Sequence, residues 1–364
     1  MSAPEPQAQQ ASAAQASPPA YAARDGDAAR DRDAVLAVWQ GNLGQDARMA
    51  AKYDWFYLRA PAGAPVMQLL AHAGAAAPVG ACSAGRRRML RDGLEIRAGV
   101  LVDLAVTPEH RTLGPALILQ QGLFAAGKRE LDQLYGFPNP KAAPVFKRIG
   151  YRKLGDMVRH ARVVRHALYV QRRATRLPAP LAAVAGAFFD IGTGLRDRWR
   201  VGGSALHAHW HDRAPDIDAL WSASPKPSAL TAVRDAAHLR WRFDDAPVDA
   251  SLPPFRHLLL RDARGDAAWF ATRADAHTLH VHDAWTRDGG ATPSPAIVLS
   301  LLRAARKAGF SVVSVELATN AARLQPWRDL GFEARGQRPV FGTDFNAGAE
   351  GDADLHLVSA DEDE

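Results

Sequence analysis

The stretch LVDLAVTPEHRTLGPALILQQG, residues 101–122, decides the fold of this chain of 364 residues. It opens with an apolar run, interrupted by Asp103, that is typical of a β-strand, and from Pro115 onward it is typical of a helix. Proline is tolerated in the first turn of a helix, where its missing N–H would have no partner. The stretch therefore predicts a strand that leads into a helix through a joint containing Arg111 and Gly114.

This joint has the features of an anion site. The first N–H groups of a helix have no intrahelical partner and carry a partial positive charge, to which Arg111 adds a formal one. Gly114 has no side chain, so a phosphate oxygen can approach its backbone closely. The joint lacks the Lys-Ser/Thr pair of a nucleoside triphosphate site and the three-glycine spacing of a dinucleotide fold. We therefore predict that it binds phosphate groups of another kind.

Length and composition predict a globular chain of two domains, with 47% hydrophobic residues. Residues 1–20 have neither a basic start nor an apolar run, so we predict a disordered tail rather than a secretory signal or membrane anchor. The apolar segment 181–195 is too short to span a bilayer. It predicts a linker helix, with a helix in a membrane interface as the alternative. No transmembrane segment is expected.

The single cysteine, Cys82, excludes an internal disulfide framework and is typical of a protein in the reducing cytoplasm, which is the location we predict.

The formal net charge is +6, and the last fifteen residues hold seven acids, which leaves +13 on the remainder. Such a basic body could attract phosphorylated ligands, nucleic acid or an anionic membrane. The preference for Ala, and for Arg over Lys, is also explained by genomic base composition, and nucleic acid is not the expected partner.

Two stretches share their spacing: NPKAAPVFKRIGYRKLG from Asn139 and NAARLQPWRDLGFEARG from Asn320. Each has an aromatic residue seven positions after the Asn, Gly at eleven, an aromatic at twelve and Gly at sixteen. This pattern predicts a short helix that ends at a glycine and leads into a strand. Upstream, GPALILQQGL from Gly114 similarly corresponds to SPAIVLSLLR from Ser294, so the chain is interpreted as a duplicated α/β unit.

The repeat sets the predicted domain organisation. A first copy occupies residues 21–165 and a second copy 205–345, joined over 166–204 by a linker with a helix. The tail 346–364 is expected to be acidic and solvated. Within each copy, alternating apolar runs predict strands before the helix of the joint and two more strands after it.

The motif Arg111-Thr112-Leu113-Gly114-Pro115-Ala116 resembles the Arg/Gln-x-x-Gly-x-Gly/Ala signature with which the GNAT acyltransferase superfamily binds the pyrophosphate of acetyl-CoA. It follows a strand and precedes a long helix, as in that superfamily, and the stretch from Asn139 is similar to a later motif of the family. The resemblance implies an α/β fold of two GNAT-like domains, each a mixed central β-sheet flanked by helices, with the second copy degenerate.

The resemblance also implies the site residues. The backbones of Thr112, Leu113, Gly114 and Ala116, with Arg111, would surround the pyrophosphate of acetyl-CoA or another acyl-CoA. Leu104, Ala105 and Val106 would lie beside the pantetheine arm and the thioester. Asn139 would contact the far end of that arm, cap a helix, or do both. Pro115 departs from the commoner motif and removes one possible N–H donor.

The second copy lacks the residues of this motif. Where Arg111 and Gly114 should recur, the sequence is GATPSP, with Ser294 in the place of the glycine. A second CoA site is therefore not expected. The second copy would instead form a wall of the acceptor cleft or contribute only stability.

The sequence lacks the tyrosine that commonly donates the proton in this superfamily. Many GNAT enzymes have a Tyr seven residues after the motif Asn, and here that position is Phe146, which cannot donate a proton. Asp103 and Glu95 are the candidate bases, with Tyr135 and His160 as weaker ones. Asp103 has a counterpart, Asp283, in the copy without a CoA motif, which favours a structural role for Asp103.

Alternating histidines at 207, 209 and 211 and at 280 and 282 could bind zinc, but solvent-facing strands are the preferred interpretation and no metal is predicted.

The sequence thus predicts an acyl-CoA-dependent N- or O-acyltransferase acting on a small-molecule, sugar or peptide acceptor that it does not identify. One alternative is an aminoacyl-tRNA-dependent transferase, because the Fem-like enzymes also pair two GNAT-like units. The other is a non-catalytic acyl-CoA-binding or scaffold protein, which Phe146 favours. Acyl length and oligomeric state are not predicted.

Overall fold

A computed structural model describes residues 20–44, 46–139, 142–167, 170, 179–201, 206–346 and 354–362. The tail predicted over residues 1–20 lies outside them, except for Ala20. The elements of the first copy follow in chain order: β1 (Tyr21–Asp25), α1 (Arg32–Trp39), α2 (Asp46–Tyr53), a π-helical turn (Asp54–Leu58), β2 (Val66–His72), β3 (Gly80–Arg91), β4 (Leu94–Val106), a 3-10 turn (Pro108–His110), α3 (Leu113–Glu130), β5 (Gln133–Gly136), α4 (Ala143–Ile149) and β6 (Arg152–Val163).

The linker contains the predicted helix, α5 (Ala179–Val201). The second copy then repeats the order of strands and helices with small additions: β7 (His207–His211), α6 (Asp218–Ala223), β8 (Thr231–Ala232), α7 (Ala236–Leu239), a π-helical turn (Arg240–Asp244), β9 (Arg256–Asp262), β10 (Gly265–Asp275), β11 (Thr278–Thr286), α8 (Pro295–Lys307), β12 (Val312–Thr319), α9 (Ala321–Asp329) and β13 (Glu333–Asp344). A C-terminal strand, β14 (His356–Val358), and a 3-10 turn (Ser359–Asp361) complete the described chain.

The strands form one continuous mixed sheet in the order β1-β2-β3-β4-β5-β13-β6-β12-β11-β10-β9-β7, with β14 beside β12 and β8 beside β3. The last strand of each copy is exchanged. Strand β13 lies between β5 and β6, and β6 lies between β13 and β12. The two predicted domains therefore share their central strands, and the bounds given for them stay a prediction.

The two copies also meet through a nearly symmetric pair of tryptophans in their π-helical turns. The indole N–H of Trp55 donates to the carbonyl of Trp241 at 2.7 Å, and that of Trp241 donates to the carbonyl of Trp55 at 3.1 Å. The two rings stack with their centroids 4.8 Å apart. Both indoles are buried, so each hydrogen bond satisfies a donor that would otherwise be costly to bury.

Helices cover both faces of the sheet in the first copy. One apolar cluster joins α1, α2 and the first π-helical turn to the sheet, and another lies between α3 and the sheet, with α4 at its edge. The second copy has its own large cluster between α8, α9 and the sheet. This is the mixed α/β architecture, a large sheet flanked by helices, that the resemblance implies.

The structure differs from the sequence analysis at the C-terminus. Within the tail expected to be solvated, Leu355, Leu357 and Val358 are at most 4% exposed, and Asp361 is 2% exposed. Asp361 pairs with the buried Arg234 and also accepts the N–H of Val358. The acidic composition of the tail concealed the short apolar strand β14, which pairs with β12.

Burial of histidines predicts acid sensitivity. His257 is fully buried on β9, and the Trp269 indole N–H donates to its Nδ1 at 3.2 Å. Burial lowers the pKa of His257 from 6.5 to about 4. Because the unfolded chain binds this proton more readily, the stability contributed by His257 is complete above pH 6.5 and is lost as the pH falls toward 4. Unfolding free energies measured across this range should lose up to about 3 kcal/mol from this residue.

In His257→Asn, the amide oxygen can still accept the Trp269 hydrogen bond, and the decline in unfolding free energy between pH 7 and 4 should be shallower than in the wild type. His207→Asn, at an exposed histidine of β7, is the matched control and should leave the decline unchanged. An identical pH dependence in all three proteins would contradict the assignment.

Candidate functional site

Strands β4 and β5 separate at the joint. They are parallel neighbours for three residue pairs, from Ala98–Gln133 to Val100–Tyr135. Beyond these pairs β4 continues to Val106, whereas β5 ends at Gly136. Among the described residues no strand pairs with the edge of β4 that faces β5 beyond Val100. The two strands therefore enclose a wedge, and Leu104, Ala105 and Val106 lie on its β4 side.

A β-bulge deforms β4 at this wedge. Ala81 and Ser83 of β3 are paired with Ala105 and Val102, so that Cys82 faces two residues of β4, one of which is Asp103. Asp103 has a φ of 53°, which is uncommon for a residue other than glycine. A bulge reorients the backbone N–H and C=O groups beside it, here those next to the residues expected at the thioester.

Contacts of its side chain hold Asp103 in this conformation. Lys52 Nζ lies 2.8 Å from one carboxylate oxygen, and the Tyr57 hydroxyl donates to the other at 3.0 Å. The Asp103 side chain is 4% exposed. Burial and the neighbouring Asp103 raise the pKa of Tyr57 well above 10, so that Tyr57 remains a donor. The structure thus gives Asp103 a structural role at the bulge, and its use as a base stays a prediction.

The N-terminus of α3 is open. Thr112 occupies the N-cap position, and its side chain makes no capping hydrogen bond. A Cβ added at Gly114 would meet no heavy atom within 4 Å, and its φ lies outside the left-handed region. Glycine in a helix costs about 0.5–1 kcal/mol relative to alanine, and no packing or backbone contact requires it here. A ligand that approaches the backbone would explain it.

Arg111 lies beside this opening. Its Nε is 3.5 Å from the carbonyl of Val106, at the end of β4, and its Nη2 donates to Asn42 Oδ1 in the connection between α1 and α2. Arg111 and Gly114 are both exposed. The structure therefore places Arg111, Thr112, Gly114 and Ala116 next to the end of β4, and their contact with a cofactor stays a prediction.

Asn139 and Phe146 flank the other side of the wedge. Asn139 Oδ1 accepts the N–H of Ala142 at 3.0 Å, three residues on, which is a hydrogen bond of the capping type. Asn320 makes the equivalent bond to the N–H of Arg323. Both repeated asparagines thus accept a backbone N–H at the start of a helix. Contact with a cofactor stays a prediction for Asn139. Phe146 is buried and packs 5.1 Å from the ring of Tyr151.

The other candidate bases lie apart from this group. Glu95 is the second residue of β4, about 26 Å from Asp103 along the strand at roughly 3.3 Å per residue. A bidentate ion pair with Arg88 lowers the pKa of Glu95. The Tyr135 hydroxyl donates to the carbonyl of Asp361 at 2.9 Å. His160 lies on β6, where burial lowers its pKa. The structure does not bring these three residues together with the joint.

The second copy has the same wedge, but it is filled. Strands β11 and β12 pair in parallel only as far as Val281–Val315, and beyond that β12 pairs with β14 from Leu317 to Thr319. The Ser359 hydroxyl then reaches the carbonyl of His282 at 3.3 Å. The cavity that remains has a volume of about 10 Å³, which is room for about one water. The C-terminal segment therefore occupies the space where a second cofactor arm would lie.

The helix of the second joint is also closed. Ser294, in the place of Gly114, is the N-cap of α8, and its hydroxyl accepts the N–H of Ile297 at 3.3 Å. The sequence difference between the two joints thus has a direct structural counterpart, because the start of α3 has no side-chain cap and the start of α8 is capped by Ser294.

Tyr151 is a functional candidate that the sequence did not single out. Its side chain is 2% exposed in the cluster between α3 and the sheet, and its hydroxyl has no hydrogen-bond partner among the described residues. Burial raises its pKa, with the nearby Cys82 adding to the effect. A buried hydroxyl without a partner is unusual. The only sequence signal is its position immediately after the repeated glycine, which it shares with Phe332.

In the described ranges, no group of three or more His, Cys, Asp or Glu side chains is placed to hold a metal ion. Of the helices described, none combines the length and the apolar character needed to cross a bilayer.

The two helix starts predict different costs of removing the cap residue. Ser294→Ala removes a capping hydrogen bond and should lower the unfolding free energy by about 0.5–1 kcal/mol. Thr112→Ala removes a side chain that makes no such bond, so its cost should be close to zero. Denaturant unfolding of both variants measures the difference. Equal losses would show that Thr112 is also a structural cap.

Neither protein-family models nor curated protein sequences give a match to this chain. Solved structures do. A protein of unknown function from Enterococcus faecalis V583, described as a probable N-acyltransferase, superimposes with a TM-score of 0.60 at 8% identity, over 89% of this chain and 73% of its own.

Two other similar structures are GCN5-related N-acetyltransferases. The one from Anabaena variabilis ATCC 29413 has a TM-score of 0.58 at 11% identity, over 90% of this chain and 73% of its own. The one from Kribbella flavida has a TM-score of 0.55 at 13% identity, over 88% of this chain and 70% of its own. At such identities the likeness concerns the fold. The chain therefore has the mixed α/β fold of the GCN5-related N-acetyltransferases, as the residues of the joint predicted.

Proposed function

We propose that this protein is an acyl-CoA-dependent N- or O-acyltransferase that consists of two GNAT-like units, of which only the first binds the cofactor. The observation that carries the proposal is the open start of α3, where Gly114 meets no packing requirement. It lies beside a wedge between β4 and β5 that no described strand fills. In the second copy, Ser294 and β14 close both features.

The residues of the joint fit the pyrophosphate of coenzyme A. Helix α3 has 18 residues, and the amides of Leu113 and Gly114 in its first turn have no intrahelical partners. Arg111 adds a positive charge at the same opening. Pro115 contributes no N–H, so this joint offers one donor fewer than a first turn without proline. These groups would bind and orient a phosphate-bearing ligand at the end of β4.

The bulge in β4 would orient the reacting end of the ligand. Coenzyme A supplies an activated acyl thioester, whose carbonyl oxygen gains negative charge when an acceptor attacks. A backbone N–H from Leu104, Ala105 or Val106 that points into the wedge would stabilise this charge. Asp103 fixes the backbone beside these residues through Lys52 and Tyr57. In this proposal it is a positioning residue.

Tyr151 is proposed to supply the proton that Phe146 cannot. It lies against the Phe146 ring, and its buried hydroxyl has no hydrogen-bond partner among the described residues. Without a protein acceptor in the described chain, this hydroxyl can donate to a leaving thiolate. The acceptor substrate is unassigned.

A non-catalytic acyl-CoA-binding protein is the second candidate. Phe146 favours it, because the aromatic ring at this position is buried among Tyr151 and Phe341 and offers no proton. Both candidates share the cofactor site, and they differ only in whether an acyl group is transferred.

The cofactor site is tested with Gly114→Glu. A carboxylate at this position would repel pyrophosphate and fill the opening, whereas an acid in the first turn of a helix does not destabilise the fold. A CoA thioester at about 100 times its dissociation constant should add about 2.7 kcal/mol to the wild type, a shift of several degrees in the midpoint of thermal unfolding. This shift should disappear in the variant.

Gly336→Glu is the matched control, because it adds the same charge at another open glycine, in the second copy. It should keep the ligand-induced shift. If no CoA thioester shifts the wild type, or if Gly114→Glu keeps the shift, the cofactor proposal is wrong.

Tyr151→Phe separates catalysis from structure. Removing a buried hydroxyl that has no protein partner should leave the unfolding free energy unchanged or slightly higher, while kcat for acyl transfer should fall by about 100-fold. Transfer is measured as CoA release that depends on acceptor, with a panel of amines and alcohols. Tyr135→Phe, which breaks the bond to the Asp361 carbonyl, should instead lower stability by about 1 kcal/mol and spare kcat.

An unchanged kcat in Tyr151→Phe would remove Tyr151 from the mechanism. CoA binding without transfer to any acceptor would favour the non-catalytic candidate.

A further inference from the structure

Helix α5 carries a concentrated apolar surface. Seven of the eleven large apolar side chains that stand out as exposed in the described chain lie on this one helix. Phe188 is 71% exposed, Leu195 64% and Trp199 87%. The seven residues, hereafter the α5 stripe, are Leu181, Val184, Phe188, Phe189, Ile191, Leu195 and Trp199. Exposed apolar patches of this kind mark binding surfaces.

The α5 stripe follows one face of the helix. Its main members recur at intervals of three or four residues, from Leu181 through Phe188 to Trp199, which is the spacing of a single helical face. At 23 residues the helix is about 35 Å long. The stripe is therefore a continuous ridge, not a scatter of single exposed side chains.

The opposite face of α5 is fixed to the protein. Asp190 accepts from the backbone N–H of His166 and pairs with Arg306 at 3.1 Å, and Asp197 pairs with Arg162 in a site where both side chains are buried. Gly186 lies so close to the backbone of Ala167 that a Cβ would clash with it. The helix thus packs against the end of β6, the residues that follow it and α8, and it presents its stripe outward.

The charges around the stripe have one sign. Arg196, Arg198 and Arg200 surround Trp199 in the sequence, and Arg172, Arg173 and Arg176 precede the helix. The two acids of the helix, Asp190 and Asp197, are turned inward into the ion pairs described above. An exposed apolar ridge on a helix whose sequence is rich in arginine, within it and just before it, is complementary to a surface that is apolar and anionic.

We propose that the α5 stripe docks this protein onto an anionic membrane surface, with α5 parallel to the bilayer plane. The apolar side chains enter the boundary between headgroups and acyl chains, and the arginines contact lipid phosphates. Trp199 lies among these arginines, an arrangement that suits an indole at a membrane interface. The inference is independent of the proposed acyltransferase activity.

A second copy of the chain and the N-terminal residues 1–19 are the other possible occupants of the stripe, and charge and composition argue against them. Two copies packed along the stripe would bring together segments whose sequence, residues 172–200, has six arginines against two acids, so their like charges would oppose the contact. The N-terminal residues 1–19 contain Ala, Gln, Pro and Ser but no large apolar side chain beyond Met1. They have little to offer a ridge of Leu, Phe, Ile and Trp.

The test is co-sedimentation of the full-length protein with vesicles. We expect binding to phosphatidylcholine vesicles that contain about one third phosphatidylglycerol, and much weaker binding to pure phosphatidylcholine. Raising the salt well above about 0.1 M should weaken the binding. The double variant Phe188→Ser/Trp199→Ser should lower the vesicle partition coefficient by about tenfold or more.

The matched control is Leu94→Ser/Val248→Ser, which changes two equally exposed apolar residues away from α5 and should bind as the wild type does. Analytical ultracentrifugation of each protein is measured in parallel. Absence of binding to anionic vesicles, or equal binding by the stripe variant, would overturn the proposal. So would a dimer of the wild type that the stripe variant abolishes, because the occupant would then be a second copy.

Discussion

The exchange of the last strands is the constraint on which the rest of the structure depends. Strand β5 has four residues, and it is held on one edge by β4 of its own copy and on the other by β13 of the second copy. A strand this short has little stability of its own, so the geometry of the wedge between β4 and β5 is set by both copies. The second copy thus supports the candidate site through the pairing of β13 with β5.

The two joints show how one architecture can be open in one place and closed in another. Both have a short parallel pairing, a bulge in the preceding strand and a helix that follows a proline-containing turn. In the first copy glycine leaves the helix start uncovered, whereas in the second a serine caps it and β14 fills the wedge. A few residue differences and one C-terminal segment are enough to distinguish an open joint from a packed one.

The aspartates at the two bulges explain why a charged residue persists where only one site is open. Asp103 pairs with Lys52, and Asp283 pairs with the fully buried Arg234. Each carboxylate accepts hydrogen bonds from side chains of neighbouring elements, and removing either one would weaken the charge compensation of its cationic partner. The shared feature of the copies is thus structural, and the functional difference lies in the loop and the helix start.

The sequence by itself determined the strand–joint–helix order, the fixed offsets of the repeat and the glycine at the start of α3, because these depend on local periodicity, turn chemistry and spacing. It did not determine the strand exchange or the place of β14, since both are pairings between residues far apart in the chain. In residues 354–362 the acidic composition concealed a buried strand. Only the tertiary structure separated Glu95 from the joint, buried the Tyr151 hydroxyl beside it and left the α5 stripe exposed, because proximity and burial depend on how the elements pack.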